Sequence, residues 1–288
     1  AARACAPPPL PPLPTPPPAS GHGAPPADRP GMTTHLALAS APAAGGVLKG
    51  DSFTQRLREL CRDLPEPHPL AGIRHRRVLI PGLIGGEIQF ALLGLAAHAL
   101  RLRGAEVTAL MCDALLPACT LRKIDHHEPG CSRWCERNAG PFARAARLPH
   151  RWYSEFISPE EFDDCLQRAF AAGPRDITAY ECDGIPVGEH LPRSLSSVFR
   201  VGSCDVERPT VLAKARELLA AGLCLVIVGR RAIEQLRPDK VFMDDGMKID
   251  WGVMRDVARR PRVPVHVVLG APRGNALLRL AGWAVDAA

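Results

Sequence analysis

The stretch Arg77–Cys112, RVLIPGLIGGEIQFALLGLAAHALRLRGAEVTALMC, decides the fold. The apolar run Val78–Pro81 predicts a buried strand. Ala and Leu dominate the run Ile88–Arg103, which predicts a largely buried helix that ends at Gly104. Glu106–Cys112 then predicts a second strand. A strand, a helix and a strand in this order form a βαβ unit, whose crossover is nearly always right-handed.

A second unit of the same kind is predicted near the C-terminus. Glu207–Leu236 predicts one long helix, and the apolar run Lys240–Asp244 predicts a strand. Asp250 is placed to cap a helix that contains WGVMRDVARR, and Val263–Leu269 predicts the last strand. Helices and strands that alternate in this way form a parallel sheet with helices on both faces. The fold class is therefore α/β, and the domain is Rossmann-like.

Between these two units the sequence is less regular. Ser158-Pro159-Glu160-Glu161 combines a capping serine, a first-turn proline and a capping-box glutamate, so it predicts a helix that runs to about Ala171. Residues 176–206 show no clear pattern, apart from a helical preference at Leu195–Phe199.

The chain divides into three segments. Residues 1–46 are rich in proline and glycine and lack aliphatic periodicity, so we expect a disordered tail and linker. Residues 47–72 predict one amphipathic helix and a second linker. Residues 73–288 form the Rossmann-like domain, which we expect to be a single domain.

The composition narrows the classes of function. The formal net charge is +6, but the basic residues are dispersed and aromatic residues make up only 5%, which argues against a nucleic-acid partner. The N-terminal stretch lacks the apolar core of a signal peptide, and no segment has the pattern of a membrane-spanning helix. We expect a cytoplasmic protein whose 10 cysteines are mostly reduced and buried, with no integral membrane segment.

Three loops follow predicted strands, where ligands bind in open parallel sheets. In Gly82–Glu87, the candidates are Gly85, Gly86 and Glu87, because the glycines would let backbone approach a ligand and the next helix presents N–H groups to an oxygen or a phosphate. The spacing matches neither GxGxxG nor a Walker loop, so a tight strand-to-helix turn is the alternative.

The second loop, Asp244–Gly252, is dense in carboxylates and glycine. Asp244 and Asp245 could bind sugar hydroxyls or a metal, or act as acid or base, and Gly246 would let a ligand approach. The alternative explanation of this loop is a helix-capping aspartate together with a turn. The third loop is Gly270–Gly274, where Arg273 could hold a carboxylate or a phosphate, or be an ordinary surface arginine.

Cysteines suggest a separate metal site. Cys112, Cys119, Cys131 and Cys135 give the pattern C-x6-C-x11-C-x3-C, a candidate set of four thiolate ligands for zinc. The last pair is one residue longer than a CxxC knuckle, so simple burial of these cysteines is the alternative. No Ser-His-Asp set can be recognised, and the sequence assigns no partner to His150, His190 or His266.

Two stretches together resemble a known family. Arg77–Cys119, with its strand, glycine loop, helix, RGAEV and CDALLPAC, and Arg237–Val268, RPDKVFMDDGMKIDWGVMRDVARRPRVPVHVV, are similar to the N-terminal domain of GT-B glycosyltransferases. The similarity is greatest to bacterial proteins of capsule and surface-polysaccharide biosynthesis. It extends to Cys131, Cys135 and the Leu148-Pro149 pair.

The resemblance implies a saccharide acceptor at the strand ends, with Asp244 or Asp245 as the base or hydroxyl ligand. It also implies that a nucleotide-sugar donor binds a second Rossmann-like domain. Because the sequence ends at Ala288, soon after its last predicted strand, we expect that domain to be missing or supplied by a second subunit. We therefore expect a truncated half that is inactive alone, in the cytoplasm or at the inner membrane face.

Two other interpretations stay open. The domain could be a non-catalytic binding module with a cysteine-ligated structural metal. It could also be a dinucleotide-dependent oxidoreductase, since Asp113 lies near the position of a ribose-binding acid after the second strand. Against the latter, the first turn lacks the third glycine of the fingerprint.

Overall fold

A computed structural model of the chain describes residues 76–82, 87–120, 140–144, 146–270 and 277–280. Within these residues the chain forms one six-stranded sheet in the order β3-β2-β1-β4-β5-β6. The first five strands are parallel, and β6 is antiparallel to β5. The strands are β1 (Arg77–Pro81), β2 (Glu106–Met111), β3 (His150–Trp152), β4 (Lys240–Asp244), β5 (Val265–Gly270) and β6 (Leu277–Leu280).

Five longer helices connect or cover these strands. They are α1 (Glu87–Leu102), α2 (Pro159–Ala171), α3 (Leu191–Phe199), α4 (Pro209–Leu236) and α5 (Ile249–Arg259). Residues 140–144 are also helical, and short 3₁₀ turns lie at Tyr153–Phe156, Ile177–Ala179 and Val187–His190.

The strand order reverses between β1 and β4. From β1 the chain continues through α1 to β2 and then to β3, whereas from β4 it continues through α5 to β5 on the other side. Because βαβ crossovers are nearly always right-handed, two crossovers that run in opposite directions from the sheet centre place α1 and α5 on opposite faces. This arrangement is the Rossmann-like α/β fold expected from the sequence. In open sheets of this kind the ligand crevice is expected beyond the carboxyl ends of the two strands at which the order reverses, here β1 and β4.

One face of the sheet packs against α1 and the helical residues 140–144. Alternate residues of β1 and β2 point into this core, as strand geometry requires. Its buried members are Val78, Ile80, Leu93, Ala97, Val107, Ala109, Met111, Phe142, Ala143 and Leu148, and Phe242 of β4 packs at its edge.

On the other face α5 packs against β4 and β5, and α4 packs against α5. Helix α4 contributes the largest number of buried residues of any described helix, 16 of its 28, including the run from Leu218 to Val226. The long helix expected at 207–236 is confirmed, although it begins at Pro209. Helices α2 and α3 pack on α4 in turn.

The start of α2 forms as the sequence predicted. Ser158 Oγ accepts a hydrogen bond from Glu161 N, and Glu161 Oε2 accepts one from Ser158 N at 2.9 Å. Pro159 lies in the first turn, and the helix ends at Ala171. The capping box therefore fixes this boundary, because both N–H groups would otherwise lack a helical partner.

Two features of the sheet differ from the prediction. Val263–Leu269 was expected to be the last strand, but β5 begins at Val265 and is followed by the antiparallel strand β6. The short strand β3 at His150–Trp152 was not expected. It contributes only three residues, too few for the alternation that identifies a strand in a sequence.

Several predicted features lie outside the described residues. These are the Pro-rich tail, the helix in 47–72, and the loop residues Gly85 and Gly86. In the part of the chain that the structure describes, no helix combines the length and apolar character needed to cross a membrane.

Candidate functional site

The crevice begins where β1 ends, at Gly82. Its φ of +66° lies in the left-handed region, which favours glycine. Its N–H donates to Leu110 O at 2.9 Å, and its carbonyl accepts a hydrogen bond from Trp251 Nε1 at 3.3 Å. A Cβ atom at this position would lie 3.0 Å from that same indole nitrogen. The first turn is thus fastened to the start of α5, while Gly85 and Gly86 lie outside the described residues and Glu87 opens α1.

Asp244 ends β4 on the other side of the crevice. Strand alternation places its side chain on the same face as Phe242, which is the face covered by α1. The side chain is half-buried, and its Oδ1 accepts a hydrogen bond from Asp245 N at 2.9 Å. Burial raises the pKa of Asp244, the Asp245 N–H partly offsets this effect, and the Asp245 charge adds to it. A raised pKa makes the Asp244 carboxylate a stronger base than an exposed aspartate.

Asp245 holds the loop together. Its φ is +58°, a left-handed conformation that aspartate tolerates better than most residues. Oδ1 accepts hydrogen bonds from Met247 N at 2.9 Å and Lys248 N at 3.4 Å, and Oδ2 lies 2.6 Å from Lys248 Nζ. Because both oxygens serve the turn itself, Asp244 is the better candidate of the two predicted carboxylates for contact with a ligand.

Gly246 completes the turn with a φ of +75°. A Cβ atom there would lie 3.0 Å from Val267 Cγ2, so a side chain would strain both the backbone and the packing against β5. Its carbonyl accepts a hydrogen bond from Arg255 Nη1 at 2.8 Å. Asp245 and Gly246 therefore form a turn, which is one of the two explanations of this loop that the sequence predicted.

Asp250 does not cap α5, contrary to the prediction. Lys248 occupies the cap position, and Asp250 lies in the first turn with a fully buried side chain. Its Oδ2 accepts hydrogen bonds from Thr120 N at 3.0 Å and from Thr120 Oγ1. Burial raises the pKa of Asp250 despite these two bonds. The residue fastens the segment after β2 to α5, and sequence periodicity could not show a partner 130 positions away.

The loop after β4 also contacts a pair formed by the buried His190 and the largely buried Asp256. His190 Nε2 lies 2.8 Å from Asp256 Oδ2, and His190 Nδ1 lies 3.2 Å from Met247 O. Gly252 makes room for the imidazole, since a Cβ atom there would lie 2.4 Å from His190 Nδ1. The sequence assigned no partner to His190, because the two residues are 66 positions apart in different elements.

Ser194 adds a further link between α3 and α5. Its hydroxyl donates to His190 O at 2.6 Å and accepts a hydrogen bond from Ile249 N at 2.9 Å. The first turn of α5, which borders the crevice, is therefore fixed from two sides.

Only half of the predicted metal set can be placed. Cys112 is buried directly after β2 and Cys119 is half-buried, whereas Cys131 and Cys135 lie outside the described residues. Among the residues that the structure does describe, no three His, Cys, Asp or Glu side chains are grouped to hold a metal ion. The zinc site stays a prediction. Asp113 follows β2 by two residues, and Arg273 lies outside the described residues beyond β5.

Comparisons with known proteins give limited similarity. The chain matches no protein-family model and no curated protein. A solved structure of a CDPS from Fluoribacter dumoffii is 12% identical, with a TM-score of 0.39, over 67% of this chain and 89% of that one. Tyrosyl-tRNA synthetase from Archaeoglobus fulgidus, solved with L-tyrosine, is 16% identical with a TM-score of 0.33, over 74% of this chain and 57% of that one. The fold assignment rests on the strand order and register of this chain.

Proposed function

We propose that this chain is the acceptor-binding half of a GT-B type glycosyltransferase of bacterial surface-polysaccharide synthesis. The acceptor saccharide binds in the crevice beyond the carboxyl ends of β1 and β4. Asp244 accepts the proton of the hydroxyl group that attacks the donor sugar. The protein works in the cytoplasm, where it reaches its acceptor at the inner membrane face.

The observation that carries the proposal is the position of Asp244. The strand order reverses between β1 and β4, and ligands of open α/β sheets bind at this point. Asp244 ends β4 there, and its side chain is half-buried. A carboxylate accepts hydrogen bonds only, so it matches the hydroxyl groups of a neutral sugar.

The proposed chemistry needs a general base of suitable basicity. The acceptor O–H proton passes to the Asp244 carboxylate while the acceptor oxygen forms a bond to the anomeric carbon of the donor. The bond from that carbon to the nucleotide breaks, and the nucleotide leaves with the electron pair. Burial raises the pKa of Asp244, which makes its carboxylate a stronger base than an exposed aspartate. A second Rossmann-like domain or subunit would bind the nucleotide-sugar donor.

The test is saccharide binding by matched variants. Saturation-transfer NMR with a panel of neutral monosaccharides, and a glycan array, would be run on the wild type, Asp244→Asn and Asp163→Asn. Asparagine retains an oxygen for the Asp245 N–H, so the turn should persist. Asp163 is an exposed aspartate on α2 and provides the same change of charge away from the crevice.

We expect Asp244→Asn to weaken binding by about 10-fold or more, since a hydrogen bond to a charged group contributes roughly 1.5–3 kcal/mol. Asp163→Asn should bind like the wild type. Equal binding by the wild type and Asp244→Asn, or no saccharide signal on the array, would contradict the proposal.

A further inference from the structure

A cleft separate from the crevice lies beneath α5. It is lined by Asp245, Gly246 and Met247 of the loop after β4, by Val265 and Val267 of β5, and by Arg255 and Arg259 of α5. The side chain of Asp244 points to the opposite face of the sheet, which is covered by α1. The cleft is therefore distinct from the proposed saccharide site.

Arg255 is held in a fixed orientation at the cleft. Nε and Nη2 donate to the two oxygens of Asp256 at 2.7 and 3.1 Å, and Nη1 donates to Gly246 O at 2.8 Å. A guanidinium carries five N–H donors, so two of them are not used by these three bonds. The group is thus pre-organised, and ordering it again on binding costs little conformational entropy.

Asp256 is shared among several basic side chains. Arg259 Nη1 lies 3.9 Å from Asp256 Oδ1, and His190 Nε2 lies 2.8 Å from Oδ2. The other carboxylate beside the cleft, Asp245, is engaged by Lys248 at 2.6 Å. Among the described residues that border the cleft, positive charge therefore exceeds negative charge.

The surroundings of Arg259 lower its pKa. Burial lowers the pKa of Arg259, and the neighbouring Arg255 lowers it further, whereas Asp256 opposes both effects only in part. An anion that binds beside the two guanidinium groups would relieve this repulsion. Their planar donor sets match the oxygen atoms of a phosphate or a carboxylate.

We propose that this cleft binds a small oxyanion, the phosphate or carboxylate group of a small molecule, through Arg255 and Arg259. Val265 and Val267 contact the apolar part of that molecule. Because Arg255 also holds Gly246 O, an occupied cleft stiffens the turn that follows β4. The site is independent of the saccharide proposal, since it shares no side chain with Asp244.

The test uses two probes, inorganic phosphate and glucuronate, in calorimetric titrations of the full chain at low ionic strength. The variants are Arg259→Gln and, as a matched control, Arg175→Gln, which removes one charge from an exposed loop after α2. Val265→Phe fills the cleft without a change of charge. Thermal melting confirms that each variant is folded.

We expect the wild type and Arg175→Gln to bind at least one probe with affinities within about twofold of each other. Arg259→Gln and Val265→Phe should each weaken binding 10-fold or more. Preference for phosphate would assign a phosphate ester, and preference for glucuronate would assign a carboxylate. Failure of both probes to bind the wild type, or equal binding by the wild type and Arg259→Gln, would overturn the proposal.

Discussion

Replacement of Arg231 by methionine tests how the α2–α4 interface is held. Arg231 is nearly buried, and its guanidinium donates to Glu161 Oε2 at 2.7 Å, to Glu161 Oε1 at 2.6 Å and to Phe156 O at 3.0 Å. Methionine retains an apolar chain of similar length but removes all three bonds. Glu161 would keep only its capping-box contacts with Ser158.

The magnitude follows from the burial of the two partners. Removal of one partner of a buried ion pair costs about 3–5 kcal/mol, but the Glu161 side chain is 25% exposed, so water compensates part of the loss. We expect a loss of about 2–3 kcal/mol in the free energy of unfolding. For a domain of this size, that loss corresponds to a Tm lower by roughly 5–10 °C.

The pH dependence gives an independent check. Burial alone would raise the pKa of Glu161, but the bonds from Arg231 and Ser158 N more than offset it and lower the pKa. The pair therefore stabilises the fold above the ordinary glutamate range, and this contribution is lost as pH falls through the lowered pKa. The difference between the wild type and Arg231→Met should shrink in acid.

The assay is urea unfolding followed by circular dichroism, with Glu161→Met and the double variant measured alongside. Because the double variant leaves no unpaired charge, its cost should be smaller than the sum of the two single costs by about 1.5 kcal/mol or more. A loss below about 1 kcal/mol in the free energy of unfolding for Arg231→Met, or simple additivity of the two single changes, would show that this ion pair does not hold the interface.

Two further predictions concern α4 and the start of α5. Gly222→Ala should lower the free energy of unfolding by about 1–2 kcal/mol in urea unfolding. The added Cβ would lie 2.5 Å from Val187 Cγ1 and 2.9 Å from Ile249 Cδ1. The cost of this overpacking outweighs the gain of about 1 kcal/mol in helix propensity. Gly202→Ala, which adds its Cβ in open space, is the control, and equal stability of the two variants would contradict the prediction. The Tm of Asp250→Asn should exceed that of the wild type by a margin that grows as pH rises above about 4. The reason is that the buried Asp250 has a raised pKa, so the wild-type fold loses stability as this group ionises. A difference in Tm that stays constant with pH would show that Asp250 does not carry this effect.

The sequence predicted the architecture well because its βαβ units are local. The boundaries of α1 and β2 lie within one residue of expectation, and the capping box at Ser158 fixed the start of α2. These features depend on periodicity and on contacts three to four residues apart. The edge strands β3 and β6 were not predicted, because they are short and are defined by the strands with which they pair.

The candidate site was predicted only in outline. The rule for strand ends directed attention to the loop after Asp244, but it could not separate Asp244 from Asp245. Their different roles arise from the left-handed backbone of Asp245 and its bonds to Lys248. The support from His190, Asp256 and Thr120 joins residues far apart in the chain, and no local pattern encodes such pairs.

The most direct test of the central claim is a titration of the isotopically labelled chain with the neutral saccharide that binds it most strongly, followed by backbone amide NMR. We expect saturable shifts of the amides of Gly82 and Asp245, which lie at the carboxyl ends of β1 and β4. Asp244→Asn should abolish these shifts, and Asp163→Asn should preserve them. Shifts confined to other surfaces, or shifts that survive in Asp244→Asn, would contradict the assignment of the acceptor site.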